Sequence, residues 1–143
     1  MIRTASRDEL PAVLAAYDWL FAPPGSVPPG WDPVAAYERL TNLHESDKAT
    51  ILVTDDLSGF CTVTLDLRSV RFGQRAWVED LAVDPSRRSQ GAGKALLGAA
   101  RDWALTHGAT HLELDSGDDR LDAHRFYERE QPSWTSRCFG WEL

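Results

Sequence analysis

Residues 83–97 read VDPSRRSQGAGKALL, and the fold turns on how this stretch is read. An apolar segment ends at Asp84-Pro85, a polar turn follows, and a helix is expected to begin near Gly91. The first N–H groups of a helix have no partner within it and carry the positive end of its dipole. Glycines at 91 and 93 remove Cβ atoms, so an anion can come close to that backbone. Arg87, Arg88 and Lys94 add positive charge around it. A pyrophosphate would suit such a loop; a solvated strand-to-helix turn is the plain alternative. The stretch has no G-x-x-x-x-G-K-[ST], and SQGAGKAL lacks the third glycine of G-x-G-x-x-G, so neither common nucleotide loop is present.

Working outward, residues 2–5 predict a short strand. Ser6 and Glu9 form a capping box ahead of Leu10, Val13, Leu14, Tyr17 and Phe21 at helical spacing. That helix stops before Pro23, and residues 22–31, APPGSVPPGW, are a proline-rich loop. Asp32-Pro33 then caps a second helix to about Ser46, with Ala36, Tyr37, Leu40 and Leu43 facing inward. ATILVT, GFCTVTLDL and RAWVEDLAVD follow as three strands separated by short turns at 55–59 and 69–74. A helix from about Gly91 to His107 carries Leu96, Leu97, Ala100, Trp103 and Ala104 on one side. HLELD is a further strand, Asp118 and Asp119 cap a helix through His124-Arg125-Phe126-Tyr127, and TSRCFGWEL reads as a last strand. The order β-α-α-β-β-β-α-β-α-β implies antiparallel neighbours among the consecutive strands and a right-handed parallel crossover over 75–115. The fold class is therefore α/β with a mixed sheet wrapped by helices, in a single domain over residues 1–143.

The bulk numbers narrow the function. The chain has 143 residues and a net charge of −7, which disfavours nucleic acid as the main partner because phosphate binding needs a basic face. No apolar run approaches the ~20 residues of a membrane span. Arg7, Asp8 and Glu9 break any signal-peptide core, so a cytoplasmic location and no membrane partner are expected. Cys61 and Cys138 are far apart and read as reduced, half-buried strand residues. The histidines at 44, 107, 111 and 124 show no metal-ligand spacing, so no metal is expected.

Arg88-Ser89-Gln90-Gly91-Ala92-Gly93 resembles the R/Q-x-x-G-x-G/A motif of the GNAT superfamily of acyl-CoA-dependent N-acetyltransferases. Glu79-Asp80-Leu81-Ala82-Val83 is similar to the strand before that loop, and Asp122-Ala123-His124-Arg125-Phe126-Tyr127-Glu128 to the later A-x-x-[LF]-Y-E helix. The resemblance is specific over about residues 75–130 and topological over 1–70. It implies acetyl-CoA as co-substrate. The backbone from Gln90 to Lys94 (Gln90, Gly91, Ala92, Gly93, Lys94) would hold its pyrophosphate in the loop that Arg88 and Ser89 open. The strand at Leu81, Ala82 and Val83 would pair with the pantetheine arm. It also implies that this strand is bulged and splayed from its parallel neighbour, with a backbone N–H near Leu81 on the acetyl carbonyl.

Acetyl transfer to an amine needs a base to take a proton from the ammonium and an acid at the departing thiolate. Tyr127 stands where the resemblance puts the acid; a core tyrosine on an amphipathic helix is the plain alternative. Glu79 and Asp80 are the base candidates. Regular alternation would put them on opposite faces, Asp80 with Val78 and Ala82. A carboxylate in an apolar strand needs a partner or a task, and Arg68 and Arg75 are the nearby partners in sequence. Glu79, directly or through a water, is favoured. Two departures stand out: Arg120 occupies the place of a frequent asparagine, and Gln131-Pro132 that of Gly-Phe. Trp19, Phe21 and Trp31 lie in the region the resemblance assigns to the acceptor, a primary amine of a small molecule or peptide. The rival expectation is a CoA-binding regulatory module without chemistry. A homodimer is compatible with either.

Overall fold

The computed structural model describes residues 1–143. Its elements are β1 (Ile2–Thr4), α1 (Leu10–Ala16), α2 (Asp18–Phe21), α3 (Pro33–Glu45), β2 (Ala49–Thr54), β3 (Gly59–Leu65), β4 (Arg75–Val83), α4 (Ala92–Thr106), β5 (His111–Glu113) and α5 (Leu121–Arg129). The sheet order is β1-β2-β3-β4-β5. The first three pairings are antiparallel; β4 and β5, joined through α4, run parallel.

β2 carries three consecutive apolar residues, Ile51-Leu52-Val53, because both faces of the sheet are covered. Ile51 and Val53 join Leu10, Val13, Leu40, Phe60 and Ala82 in the layer under α1 and α3. Leu52, one residue out of phase, joins Cys61, Val63, Val78, Leu96 and Ala100 under α4. Burying each large side chain in these layers contributes ~1.5–3 kcal/mol.

β4 breaks that phase. Val78 lies in the α4 layer and Ala82 in the α1/α3 layer, although four residues separate them. The register explains it: Thr62 faces Asp80 and Val63 faces Val78, so one step on β3 spans two on β4. Glu79 is the extra residue of a β-bulge. The Asp80 N–H accordingly leaves the ladder and donates to Thr62 Oγ1 at 3.1 Å. The expectation that Glu79 and Asp80 take opposite faces is thereby corrected. Glu79 accepts from Trp77 Nε1 at 2.7 Å and Asp80 from the Tyr17 hydroxyl at 2.7 Å, so both carboxylates belong to the α1/α3 side. Asp80 shares that side with Ala82, not with Val78.

Beyond the bulge, the sheet opens. β4 pairs with β5 only from Arg75 to Trp77, against His111, Leu112 and Glu113. Arg75 and Glu113 form an ion pair across this closed end. Past Trp77, the edge of β4 that faces β5 has no strand beside it for six residues, or roughly 20 Å.

Other expectations are adjusted. The first helix is two: the Tyr17 N–H bonds to Leu14 O at 3.2 Å, a tightened turn that separates α1 from α2. Tyr37 points outward at 37% exposure, leaving Ala36 and Leu40 as the buried face of α3. α5 begins after Arg120 rather than on a cap from Asp118 or Asp119. The last expected strand is not formed, and residues 132–143 carry no regular structure. Gln131, in the left-handed region at φ 55°, turns the chain, and Pro132 lacks an N–H to donate. Cys138 is consequently exposed and outside any strand, whereas Cys61 lies in β3 as expected but is fully rather than half buried. No helix is long and apolar enough to cross a membrane.

Candidate functional site

The open edge of β4 is the axis of the site. The glycine loop stands at its far end, with Tyr127 on the α4 side and the two carboxylates on the α1/α3 side.

The loop is held by its own polar groups. Asp84 Oδ1 accepts from the Ser86 N–H at 2.9 Å, and Arg87 reaches Asp56 at 3.4 Å. Ser89 (φ 64°) and Gly91 (φ 88°) are both left-handed. The α4 ladder starts with Ala95 N–H to Gly91 O at 3.0 Å, so the N–H groups of Ala92, Gly93 and Lys94 precede it. A Cβ built at Gly91 would meet nothing within 4 Å, so the turn itself is open to solvent. The loop therefore fits a pyrophosphate: free N–H groups, a helix N-terminus and exposed Arg88 and Lys94. Gly93 has a different neighbour. A Cβ there would meet the tip of the Phe126 ring at 3.4 Å, so this glycine lets α5 close onto the first turn of α4.

That contact positions Tyr127, the next residue on α5. Tyr127 is half-buried, and its phenol is pushed up to about 12, first by burial and then by the neighbouring Cys61. The Arg120 guanidinium pulls the other way. The phenol thus stays protonated at neutral pH and can donate a hydrogen bond. Arg120 also donates from Nη2 to Leu20 O at 3.0 Å, tying the start of α5 to α2. The residue that departs from the family pattern is a clamp between the two helical regions flanking the slot.

On the other side, Asp80 is raised by burial, opposed by the hydrogen bond from Tyr17 and reinforced by the adjacent Glu79. Burial and that same carboxylate push the Tyr17 phenol up strongly. Arg75 is engaged by Glu113, and Arg68 forms no ion pair, so neither arginine neutralises Glu79 or Asp80. Tyr17 sits in an aromatic group, 4.9 Å from Phe60, 6.1 Å from Trp31 and 6.2 Å from Phe21 between ring centroids. Trp19 packs on the core beneath. A cavity of about 220 Å³ opens beside this group, bounded by Tyr17, Trp31 and Asp80 and by leucines of α1 and α3.

Cys61 marks where the two halves meet. Its thiol is pushed up to about 12 by burial and by Asp80, and it bears in turn on Tyr127. The structure thus gathers the loop, Tyr127, Glu79, Asp80 and residues 81–83 along one edge. Sequence reading missed Tyr17 and Thr62 as site residues, and it marked Arg120 only as a departure, without its role as a clamp. Tyr17 was hidden because it continues the helical spacing of core residues, and only the bulge brings Asp80 to it.

Residues 13–131 match the acetyltransferase (GNAT) family. An uncharacterized N-acetyltransferase of Bacillus subtilis, YhdJ, is 46% identical over 59 residues, covering 41% of this chain and 42% of its own. The streptothricin acetyltransferase of Streptomyces lavendulae is 35% identical over 74 residues, covering 52% of this chain and 37% of its own. The chain spans about half or less of the length of these two relatives. Among solved structures, an aminoglycoside N-acetyltransferase in complex with CoA superposes with a TM-score of 0.82 at 18% identity, covering 100% of this chain and 93% of its own. At that identity the likeness speaks for the fold.

Proposed function

The chain belongs to the GNAT acetyltransferase family, and from that premise we propose that it transfers an acetyl group from acetyl-CoA to a primary amine, directly, with both substrates bound at once. The observation that carries this reading is the bulge at Glu79. One extra residue sits where β4 parts from β5 after Trp77, and with it both carboxylates come to the α1/α3 side.

In this reading the N–H groups from Gln90 to Lys94 hold the pyrophosphate, with Arg88 and Ser89 shaping the loop. The pantetheine arm lies along Leu81, Ala82 and Val83 as a surrogate strand. A β4 N–H near Leu81 faces the acetyl carbonyl and stabilises the charge that develops on its oxygen. The amine, free of its extra proton, attacks the carbonyl carbon; the C–N bond forms and the C–S bond breaks. Asp80 or Glu79 accepts the amine proton, directly or through a water. Burial suits Asp80 to this task, because it raises a carboxylate toward the pH at which it works. Exposed Glu79 is placed to relay. Tyr127 donates to the leaving sulfur. General acid–base groups of this kind contribute ~10²–10⁴-fold each.

The acceptor in this reading is a small-molecule amine, in line with the name of the streptothricin relative. Calorimetry with acetyl-CoA, together with thiol release across an amine library, tests the whole. Binding with turnover is expected. Binding without turnover on any amine would make the chain a CoA-binding module. No binding at high micromolar acetyl-CoA would end the reading.

A further inference from the structure

The cavity beside Tyr17 has a charge pattern that the family assignment does not supply. Its volume, about 220 Å³, is room for about seven water-sized groups at ~30 Å³ each. Its walls are mostly apolar, with Leu14 from α1 and Leu40 and Leu43 from α3. Asp80 and Arg39 are the only charged residues lining it, one from the sheet and one from α3.

Each of these charges has capacity to spare. Asp80 uses Oδ2 for the Tyr17 hydroxyl; Oδ1 accepts nothing and is not sealed off as a buried unsatisfied atom. Arg39 is exposed and forms no ion pair, in a chain with seven more acidic than basic side chains. An apolar cavity lined by one carboxylate and one unpaired arginine is a poor seat for a polycation. It matches a molecule with opposite charges at its two ends. The Tyr17 and Trp31 rings beside Asp80 favour an ammonium at that end.

Resting on the acetyltransferase reading above, we infer that this cavity is the acceptor site and that it takes a compact primary amine whose short apolar body ends in an acidic group. The ammonium meets Asp80 Oδ1, the body lies against Leu14, Leu40 and Leu43, and the acidic group meets Arg39. Arg39 is then a specificity residue, remote from the reacting atoms.

The test compares ω-amino acids from propanoate to hexanoate with alkylamines and diamines of the same lengths, read as kcat/KM from thiol release. At the best length the amino acid should exceed the alkylamine by up to about fivefold, the scale of one solvent-exposed ion pair, and the diamine should be poorest. Arg39→Ala should erase the difference, and Arg39→Glu should invert it in favour of the diamine. Acetyl-CoA affinity, measured in parallel by calorimetry, should not change in either variant. Wild-type preference for diamines, an unchanged order in Arg39→Glu, or acetyl-CoA binding with none of these amines accepted would each overturn the inference and leave the acetyl-CoA reading standing. Failure of wild-type protein to bind acetyl-CoA would instead remove the reading on which it rests.

Discussion

Gly91 and Gly108 are a matched pair at the two ends of α4, and replacing each with alanine separates backbone strain from cofactor binding. Their φ angles are 88° and 79°, and a Cβ at either would meet nothing within 4 Å. The steric cost of placing alanine there is therefore the left-handed backbone itself, about 1–2 kcal/mol. The lower entropy of the unfolded chain returns about 0.4–1 kcal/mol of that. The net loss, about 1 kcal/mol in each variant, should lower the melting temperature by roughly 2–5 °C. Gly91 alone stands at the end of α4 that carries the Ala92, Gly93 and Lys94 N–H groups, so only there does the strain fall beside the proposed pyrophosphate donors. Loss of one hydrogen bond to a charged oxygen there, about 1.5–3 kcal/mol, weakens acetyl-CoA by roughly ten- to a hundredfold. Thermal unfolding and calorimetry read the two effects separately. Similar melting temperatures with acetyl-CoA dissociation constants within twofold of each other would refute the placement of the pyrophosphate.

Tyr127→Phe should lower kcat by ~10²–10⁴-fold with acetyl-CoA affinity nearly unchanged, measured by thiol release and calorimetry; wild-type turnover would remove the phenol from the mechanism. In Tyr17→Phe, burial acts on Asp80 without the opposing hydroxyl, so the ionised base appears only at higher pH. The acidic limb of kcat/KM should thus move to higher pH, and an unmoved limb would exclude Asp80 as the base. Tyr17 and Tyr127 both hold their protons more tightly folded than unfolded, so their contribution to stability is intact below pH 10 and is lost above it. The Cys61 thiol acts with the same sign from about pH 9, so the three groups give a slope of up to about −4 kcal/mol per pH unit above pH 10, at 1.36 kcal/mol each. Urea midpoints between pH 9 and 11 should fall in wild type and fall less steeply in Tyr127→Phe.

How much of this was legible in the sequence depends on how local the cause is. The glycine loop, the apolar β2 run and the Phe126-Tyr127 pair follow from short-range rules, and the structure places them as those rules require. The bulge does not, because it depends on the register between β3 and β4 and not on either strand alone. Glu79 and Asp80 could be chosen as candidates, but their shared side could not, and with it went Tyr17. Arg120 was visible as a departure, yet its partner, the Leu20 carbonyl, lies 100 residues away. The final segment failed for the opposite reason. TSRCFGWEL has the composition of a strand, yet after the turn at Gln131-Pro132 it stays beside β5, Trp134 packing on His111 at 5.6 Å between ring centroids, without entering the ladder.

The bulge also bears on how this site could be gained or lost. Without Glu79, Asp80 would follow Val78 directly, and the β3–β4 ladder could run on with Thr62 and Val63 facing consecutive residues. β4 would then be free to continue alongside β5 past the Arg75–Glu113 pair. Nothing in the core layers requires the extra residue. The split between β4 and β5 thus begins at an inserted residue, which ties its gain or loss to the length of a strand rather than to the chemistry of a side chain.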